Sequence, residues 1–483
     1  MALSKKIFNN IDLRNPKLLI GAFIIIAEVL TGILCLVTGY YVFILFFGGL
    51  LAALIFLFPK LGAILMLFFI PGVQYLNFDI GPVTISPLRI LLIPTLIGAV
   101  LHIVVKKSSI KMAPIGAPVA ALISVAILSI LQSSHIGTGI IKLTFFLSLF
   151  SITFVLSQIL DDRKWVEIAI SVMIASSIIL TILILMEAIF LYMGMPSFVS
   201  RLPRLAAGVT GRLYPTAHPM TLDLNTYLPF VLLLAASQRR WKSLLLVVLA
   251  SCYILGIILA AAMAGWLATI GSVMILVIIG LSRTQGKAVK GVLKKLVLVL
   301  ILGSLLVSLT IPSSTLEERI GRFVLIVTLT GIHTQRTEEV RIPVWAAAKN
   351  MFLDHPILGV GLGSMFYEYH KYMVERVGAR GKEFTHHGFN MFVDIGTEMG
   401  ILGIGAILWF LFTYAIVVLK HLPLIEDPFL SNMLLACFAA SVAVVIQMQT
   451  ETGPFWANNF WVLAGLSLAI INVAKTGQLE MQA

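Results

Sequence analysis

Long apolar runs recur along almost the whole chain, separated by short polar joints, and this limits what the chain can fold into. Fourteen can be traced, at 18–38, 41–58, 61–76, 86–105, 115–131, 139–160, 165–193, 222–237, 242–261, 263–282, 293–311, 399–419, 430–449 and 456–474. Most are long enough to cross a bilayer, which takes about 17–25 residues of helix. Of the 483 residues 59% are hydrophobic and only 12% charged, with mean hydropathy +1.03; a soluble chain carries about 25% charged residues. Within hydrocarbon each segment must satisfy its own backbone polar groups, so these runs read as helices. The expectation is an all-α polytopic membrane protein of about 12–14 transmembrane helices, with the lipid bilayer as its first partner. Pro87 and Pro94 predict a kink in 86–105, and Pro229 makes 222–237 the weakest span.

The formal charge of +12 does not point to nucleic acid. Most Lys and Arg lie in alternate short joints: Lys60; Lys106, Lys107 and Lys111; Arg163 and Lys164; Arg239, Arg240 and Lys242; Arg283 to Lys295; Lys420; Lys475. The joints 39–40, 132–138 and 450–455 carry none. Under the positive-inside rule both termini are cytoplasmic. Lys5, Lys6, Arg14 and Lys17 precede a first run without a small-residue cleavage signal, which reads as a retained span. Cys35, Cys252 and Cys437 sit inside apolar runs without metal-ligand or disulfide spacing.

Two outer segments break the charge pattern. The segment 194–221 carries Arg201, Arg204 and Arg212, which call for an anionic partner. The other is the one long water-compatible stretch, 312–398, near the C-terminal third. The chain thus divides into N-terminal spans 1–193, spans with the Arg-bearing outer joint 194–311, an extracytoplasmic loop 312–398, and C-terminal spans 399–483. The loop is expected to be mostly helical. Pro343 to Leu353 predicts a helix with Trp345, Ala348 and Phe352 on its apolar face, stopped by Asp354-His355-Pro356. Gly359, Gly361 and Gly363 alternate in a tight turn that lacks the dinucleotide-binding pattern. Ser364 to Val377 reads as an amphipathic helix, and another begins at Thr385 and runs into the span at Met399.

On a helix from Thr385, His387, Asn390 and Asp394 fall at i, i+3 and i+7, with Glu398 four residues on. A polar stripe leading into a span faces a cavity or a partner; the other reading is a hydrogen-bonded helix N-terminus capped by Thr385. His386 and His387 point about 100° apart on a helix and lack a second ligand at i+4, so no metal site is expected. No nucleophile elbow, phosphate loop or paired zinc-histidine motif occurs. Ionisable residues inside the spans are few, namely Glu28, Glu187, His102 and Lys142, where a proton-coupled transporter needs more.

At three places the chain resembles the O-antigen ligase and polymerase superfamily of bacterial membrane glycosyltransferases. The first is Arg204-Leu-Ala-Ala-Gly208 to Asn225. The second is Arg341…Trp345…Asp354-His355-Pro356…Gly359-Val-Gly361-Leu-Gly363. The third is His387-x-x-Asn390 followed by Glu398-Met-Gly400-Ile-Leu-Gly403. The resemblance covers about 200–411. Two departures stand out. Where many members carry Ser-Arg, this chain reads Ala261-Ala-Met-Ala-Gly265-Trp266, and Phe389 stands where many have His directly before Asn.

The resemblance implies transfer of a glycan from undecaprenyl diphosphate to an acceptor hydroxyl, on a second lipid-linked glycan or a lipid A core. It places the protein in the bacterial inner membrane and calls for no cofactor. Such chemistry needs cations on the diphosphate and a base for the hydroxyl. The expected clamp is Arg204, Arg212 and Arg341; the base is His387, or His386 beside it, with Asn390 and Glu398 orienting the base or the sugar. A polysaccharide exporter or other secondary transporter is the competing reading; it predicts inverted repeats and broken mid-membrane helices, and no internal repeat is evident.

Overall fold

The computed structural model describes residues 41–72, 78–80, 83–106, 110, 113–192, 217–259, 263–283, 294–295, 297–303, 341–372, 388–450 and 458–482. These form an all-α polytopic membrane protein. Among the described residues eight helices are long and apolar enough to cross a membrane, or nine with a bent pair counted as one span. The bent pair is α1 (Tyr41–Leu57) and α2 (Pro59–Phe69), with an angle of 120° at the break, so the expected spans 41–58 and 61–76 are joined by a sharp bend. Pro59 at the first helical position starts α2 because it has no N–H to leave unbonded there. The run 18–38 lies outside the described residues, and 293–311 is described only at 294–295 and 297–303.

The joint after α2 contains a short antiparallel hairpin, β1 (Phe78–Ile80) on β2 (Val83–Ile85), with Phe78 opposite Ile85. Then follow α3 (Pro87–Lys106), α4 (Ala113–Gln132), α5 (Ile136–Ile159), α6 (Arg163–Tyr192), α7 (Ala217–Ser237), α8 (Arg240–Leu259) and α9 (Met263–Arg283). Pro94 does not end α3, which runs on through it as one element. The apolar parts of α7 and α9, Thr221–Ser237 and Ala264–Gly280, are shorter than a full span.

The loop region contributes α10 (Ile342–Asp354) and the short α11 (Met365–Glu368), which passes into a 3-10 turn at Tyr369–Lys371. The chain closes with α12 (Met391–His421), α13 (Pro428–Gln447) and α14 (Asn458–Gln482). These last two are the centre of the bundle: 72% of the apolar window of each is buried, against 33–44% for the other full spans. Trp461 of α14 packs edge-on to Phe150 of α5 at 4.6 Å and stacks on Phe410 of α12 at 4.9 Å. Buried hydroxyls add polar contacts between helices, with Tyr414 Oη 2.9 Å from Ser441 and 3.0 Å from Ser467.

The joints sort to the two ends of this bundle. At one end Lys60 pairs with Asp161 at 2.5 Å and Arg163 with Asp427 at 2.8 Å. At the other end the joints 133–138 and 448–450 meet the loop region.

Candidate functional site

The loop helix α10 forms where expected. Its buried face is Val344, Ala347, Ala348 and Met351 rather than Trp345, Ala348 and Phe352, so the apolar stripe is turned by about one residue. Trp345 is only partly buried, and its indole makes a polar contact, with Nε1 donating to the Gly388 carbonyl at 2.7 Å. The amphipathic helix expected from Ser364 ends early, at Glu368 and its 3-10 turn, and residues 373–387 lie outside the described part.

The helix expected from Thr385 starts later. Residues 388–390 are not helical, and α12 begins at Met391 with Asn390 as its cap. Asn390 Oδ1 accepts from the N–H groups of Phe392 (2.8 Å) and Val393 (3.3 Å). A side-chain oxygen at this position satisfies donors that the first turn leaves open. Phe389 just before it has φ +54°, which reverses the chain and cannot belong to a helix. His387, Asn390, Asp394 and Glu398 therefore do not form one helical stripe; Asp394 and Glu398 alone are on α12. The spacing argument for His387 over His386 required a continuous helix and lapses with it.

The described site residues gather around this start. The Arg341 guanidinium donates to the Thr450 carbonyl at 3.0 Å and lies 5.7 Å from the centre of the Phe389 ring. Asn390 Nδ2 donates to the Gln449 carbonyl at 3.0 Å, and the Met391 N–H to Met448 at 3.1 Å. The end of α13 thus holds both Arg341 and Asn390. Arg204, Arg212, His386 and His387 lie outside the described residues; Gly388 directly follows the histidine pair.

Glu398 is two turns into α12, about 12 Å along the axis from Asn390. Its carboxylate faces Lys142 of α5 at 2.5 Å, with side-chain exposures of 6% and 25%. The backbone around it receives the glycine turn. Val360 N–H donates to Thr397 (2.9 Å), Gly361 to Glu398 (3.2 Å), and Ile401 to Pro356 (2.8 Å). Ser129 of α4 joins both sides, donating to the Glu398 carbonyl at 2.5 Å and accepting from Leu362 at 2.9 Å. This pairing breaks α12 at Gly400, where φ is +62°. The alternating glycines are the means of close approach: a Cβ on Gly359 (φ +69°) would be 2.4 Å from the Glu398 carbonyl carbon. The N–H groups of Gly359 and Gly361 donate to the backbone carbonyls of His355 and Glu398.

The joint 132–138 grips the other side of the loop. Ser133 bonds Ser364 at 2.5 Å, Ser134 donates to Glu368 at 2.6 Å, and His135 stacks on Tyr367 at 4.1 Å. Hydrogen bonds from Lys371 and then from Ser134 hold the Glu368 carboxyl below its ordinary 4.5. Residue spacing carries no sign of this docking surface.

A second polar group escaped the sequence reading. Asp223 is a further ionisable residue inside an apolar run, and it is buried. Asn459 donates to Asp223 Oδ1 and Thr226, each at 2.9 Å. Beside them Asn225 donates to the Gly265 carbonyl at 2.9 Å and accepts from Thr269 at 2.7 Å. Gly265 falls in the segment that departs from the usual Ser-Arg, and a Cβ there would be 2.6 Å from Thr221. Close helix contact there leaves room for no side chain at Gly265.

The fold and this polar clasp at one end of the bundle define a multi-pass helical membrane protein with a structured loop region packed onto its last spans. Residues 244–410, about a third of the chain, match the family model described as O-antigen ligase. No curated protein matches the chain. The match supports a ligase- or polymerase-type function in polysaccharide assembly.

Proposed function

We propose that this protein is an inner-membrane glycosyltransferase. It moves a glycan from a polyprenyl diphosphate to an acceptor hydroxyl on the extracytoplasmic side. The observation that carries the reading is the placing of Arg341 against Phe389, two residues after His387, within a segment matched to the O-antigen ligase family. The acceptor proton passes to His387, or to His386. The acceptor oxygen bonds the anomeric carbon, and the bond from that carbon to the diphosphate oxygen breaks. The departing polyprenyl diphosphate gains negative charge, which Arg204, Arg212 and Arg341 stabilise. Since diphosphate is a good leaving group, no metal ion is required in this scheme. Asn390 orients the site by capping α12, and Glu398 supports it through Lys142.

Purified protein with a lipid-linked glycan donor tests this. His387→Ala is expected to slow transfer on the order of 10²–10⁴-fold with donor binding kept, while Arg204→Ala and Arg341→Ala weaken donor binding. Full activity in both His386→Ala and His387→Ala would end the general-base scheme. Glycan mass spectrometry of a deletion strain separates the two acceptor classes. Single lipid-linked repeats mean lost polymerisation, and long unligated lipid-linked chains mean lost ligation.

A further inference from the structure

The peptide groups of one residue, Gly388, are held from both sides. Asp394, one turn into α12, accepts the Gly388 N–H through Oδ1, and Trp345 of α10 donates to the Gly388 carbonyl at 2.7 Å. The next residue, Phe389, is fixed in the left-handed region at φ +54°. That costs about 1–2 kcal/mol for a residue with a side chain. Its ring is held against the Val344–Met351 cluster and beneath Arg341. Asn390 is tied to Gln449 and to the first turn of α12. Three consecutive residues are therefore fixed by α10, α12 and the end of α13.

Two details show that this hold is built in. A Cβ on Gly388 would be 2.6 Å from Val393 and 2.9 Å from Asp394 Oδ1, so only glycine lets the carboxylate reach the N–H. Asp394 Oδ2 is buried with no hydrogen-bond partner among the described residues, so the Oδ1 contact to Gly388 is the one that fixes this side chain there.

We propose that Asp394 and Trp345 are positioning residues for glycan transfer. By locking the Gly388 peptide they fix the point from which the chain leads to His387 and His386. The inference rests on the histidine base proposed above. Transfer chemistry is sensitive to such placement, and a shift of about 1 Å can cost on the order of 10²-fold. Asp394 takes no proton in this scheme; it acts on the backbone.

The test compares Asp394→Ala, Asp394→Asn and Trp345→Phe, measuring single-turnover transfer and donor affinity, with amide hydrogen exchange at Gly388. Asn keeps an oxygen for the N–H, and Phe keeps the ring but loses the donor. Asp394→Ala is expected to lose about 10²-fold in transfer rate with donor affinity kept and Gly388 exchange accelerated. Asp394→Asn should recover most of the rate and the protection, and Trp345→Phe should fall between. If Asp394→Asn is as inactive as Asp394→Ala while Gly388 stays protected, the carboxylate acts in the chemistry and the positioning role is overturned. Loss of Gly388 protection without loss of rate overturns it as well. Should Asp394→Ala fail to fold, Asp394→Asn and Trp345→Phe still decide. A failure of the histidine base shows separately, as unchanged rates in His386→Ala and His387→Ala.

Discussion

Removing either partner of the Lys142–Glu398 pair should have unequal consequences. The two charges are 2.5 Å apart; the Glu398 side chain is 6% exposed and that of Lys142 25%. Breaking a buried pair costs about 3–5 kcal/mol, because the remaining charge is left in a low-dielectric site. Lys142→Met leaves the more buried group, the carboxylate, so the full figure applies. Glu398→Met leaves an ammonium on a flexible stem that is already a quarter exposed and can reach water. Its cost should fall to about 1–3 kcal/mol. The double variant Lys142→Met/Glu398→Met removes both charges of the pair and should unfold close to the wild type. The assay is a double-mutant cycle on detergent-purified protein followed by thermal unfolding. A coupling of about 2 kcal/mol or more is expected. Additivity within about 0.5 kcal/mol, or a larger loss in Glu398→Met than in Lys142→Met, would refute the reasoning. The stable double variant also isolates chemistry from folding. If it transfers glycan, the pair serves the site by architecture; if it is folded and inactive, a member of the pair has a direct part.

Gly359→Ala should destabilise by at least about 1–2 kcal/mol, since it adds left-handed strain to a 2.4 Å approach to Glu398 backbone; an unchanged unfolding temperature would contradict the backbone pairing. Asn390→Ala should cost about 0.5–2 kcal/mol of cap, while Asn390→Asp keeps the cap and loses the donor to Gln449; equal losses in the two would show that the cap is not the main contribution. The depressed Glu368 carboxyl makes the docking of 364–371 on 133–138 pH-dependent. Its stabilisation is present above the unfolded value and lost as pH falls through the lower folded one, so hydrogen exchange in 364–371 should rise only in acid. Exchange that rises toward alkaline pH, after correction for the intrinsic rate, would reverse that sign. Reporter fusions at Lys107, Arg163 and Arg283 should read cytoplasmic, and fusions at Gly208 and Gly378 outside; a cytoplasmic Gly378 would remove the extracytoplasmic site.

The class of fold was legible because a bilayer permits few alternatives: apolar runs of sufficient length become helices whatever their detailed sequence. Boundaries at the site were not, because they depend on side chains that compete for the same backbone groups. Thr385 and Asn390 are both acceptable caps in sequence. Asn390 caps α12 where Gln449, 59 residues away in the chain, supplies a second partner and Asp394 reaches back across a non-helical turn to Gly388. Lys142 was legible as an unusual ion in a span, and Glu398 as part of a motif, but their pairing joins positions 256 residues apart. Asp223 was overlooked inside an apolar run, since its partner Asn459 is 236 residues away.

The motif that carried the family resemblance divides by physical role. Gly359, Gly361 and Gly400 allow two backbones to meet, and Glu398 is held by Lys142, so these residues build a rigid seat. Arg341, Trp345, Asn390 and Asp394 act one layer further out, on the short segment that leads to the histidine pair. The departure at Phe389 fits this division. With φ at +54° and its ring beneath Arg341, that position turns the chain and supports a guanidinium, roles an aromatic ring fills without titrating. In the proposed scheme the base is His387, directly before Gly388 in the chain, or His386, one residue further back. Phe389→His therefore separates two accounts. If the residue in this place must be the base, the substitution should raise transfer in a His386→Ala/His387→Ala background. If the base belongs before Gly388, transfer in that background should stay as low as without it, because the new imidazole would be packed against α10 and under Arg341.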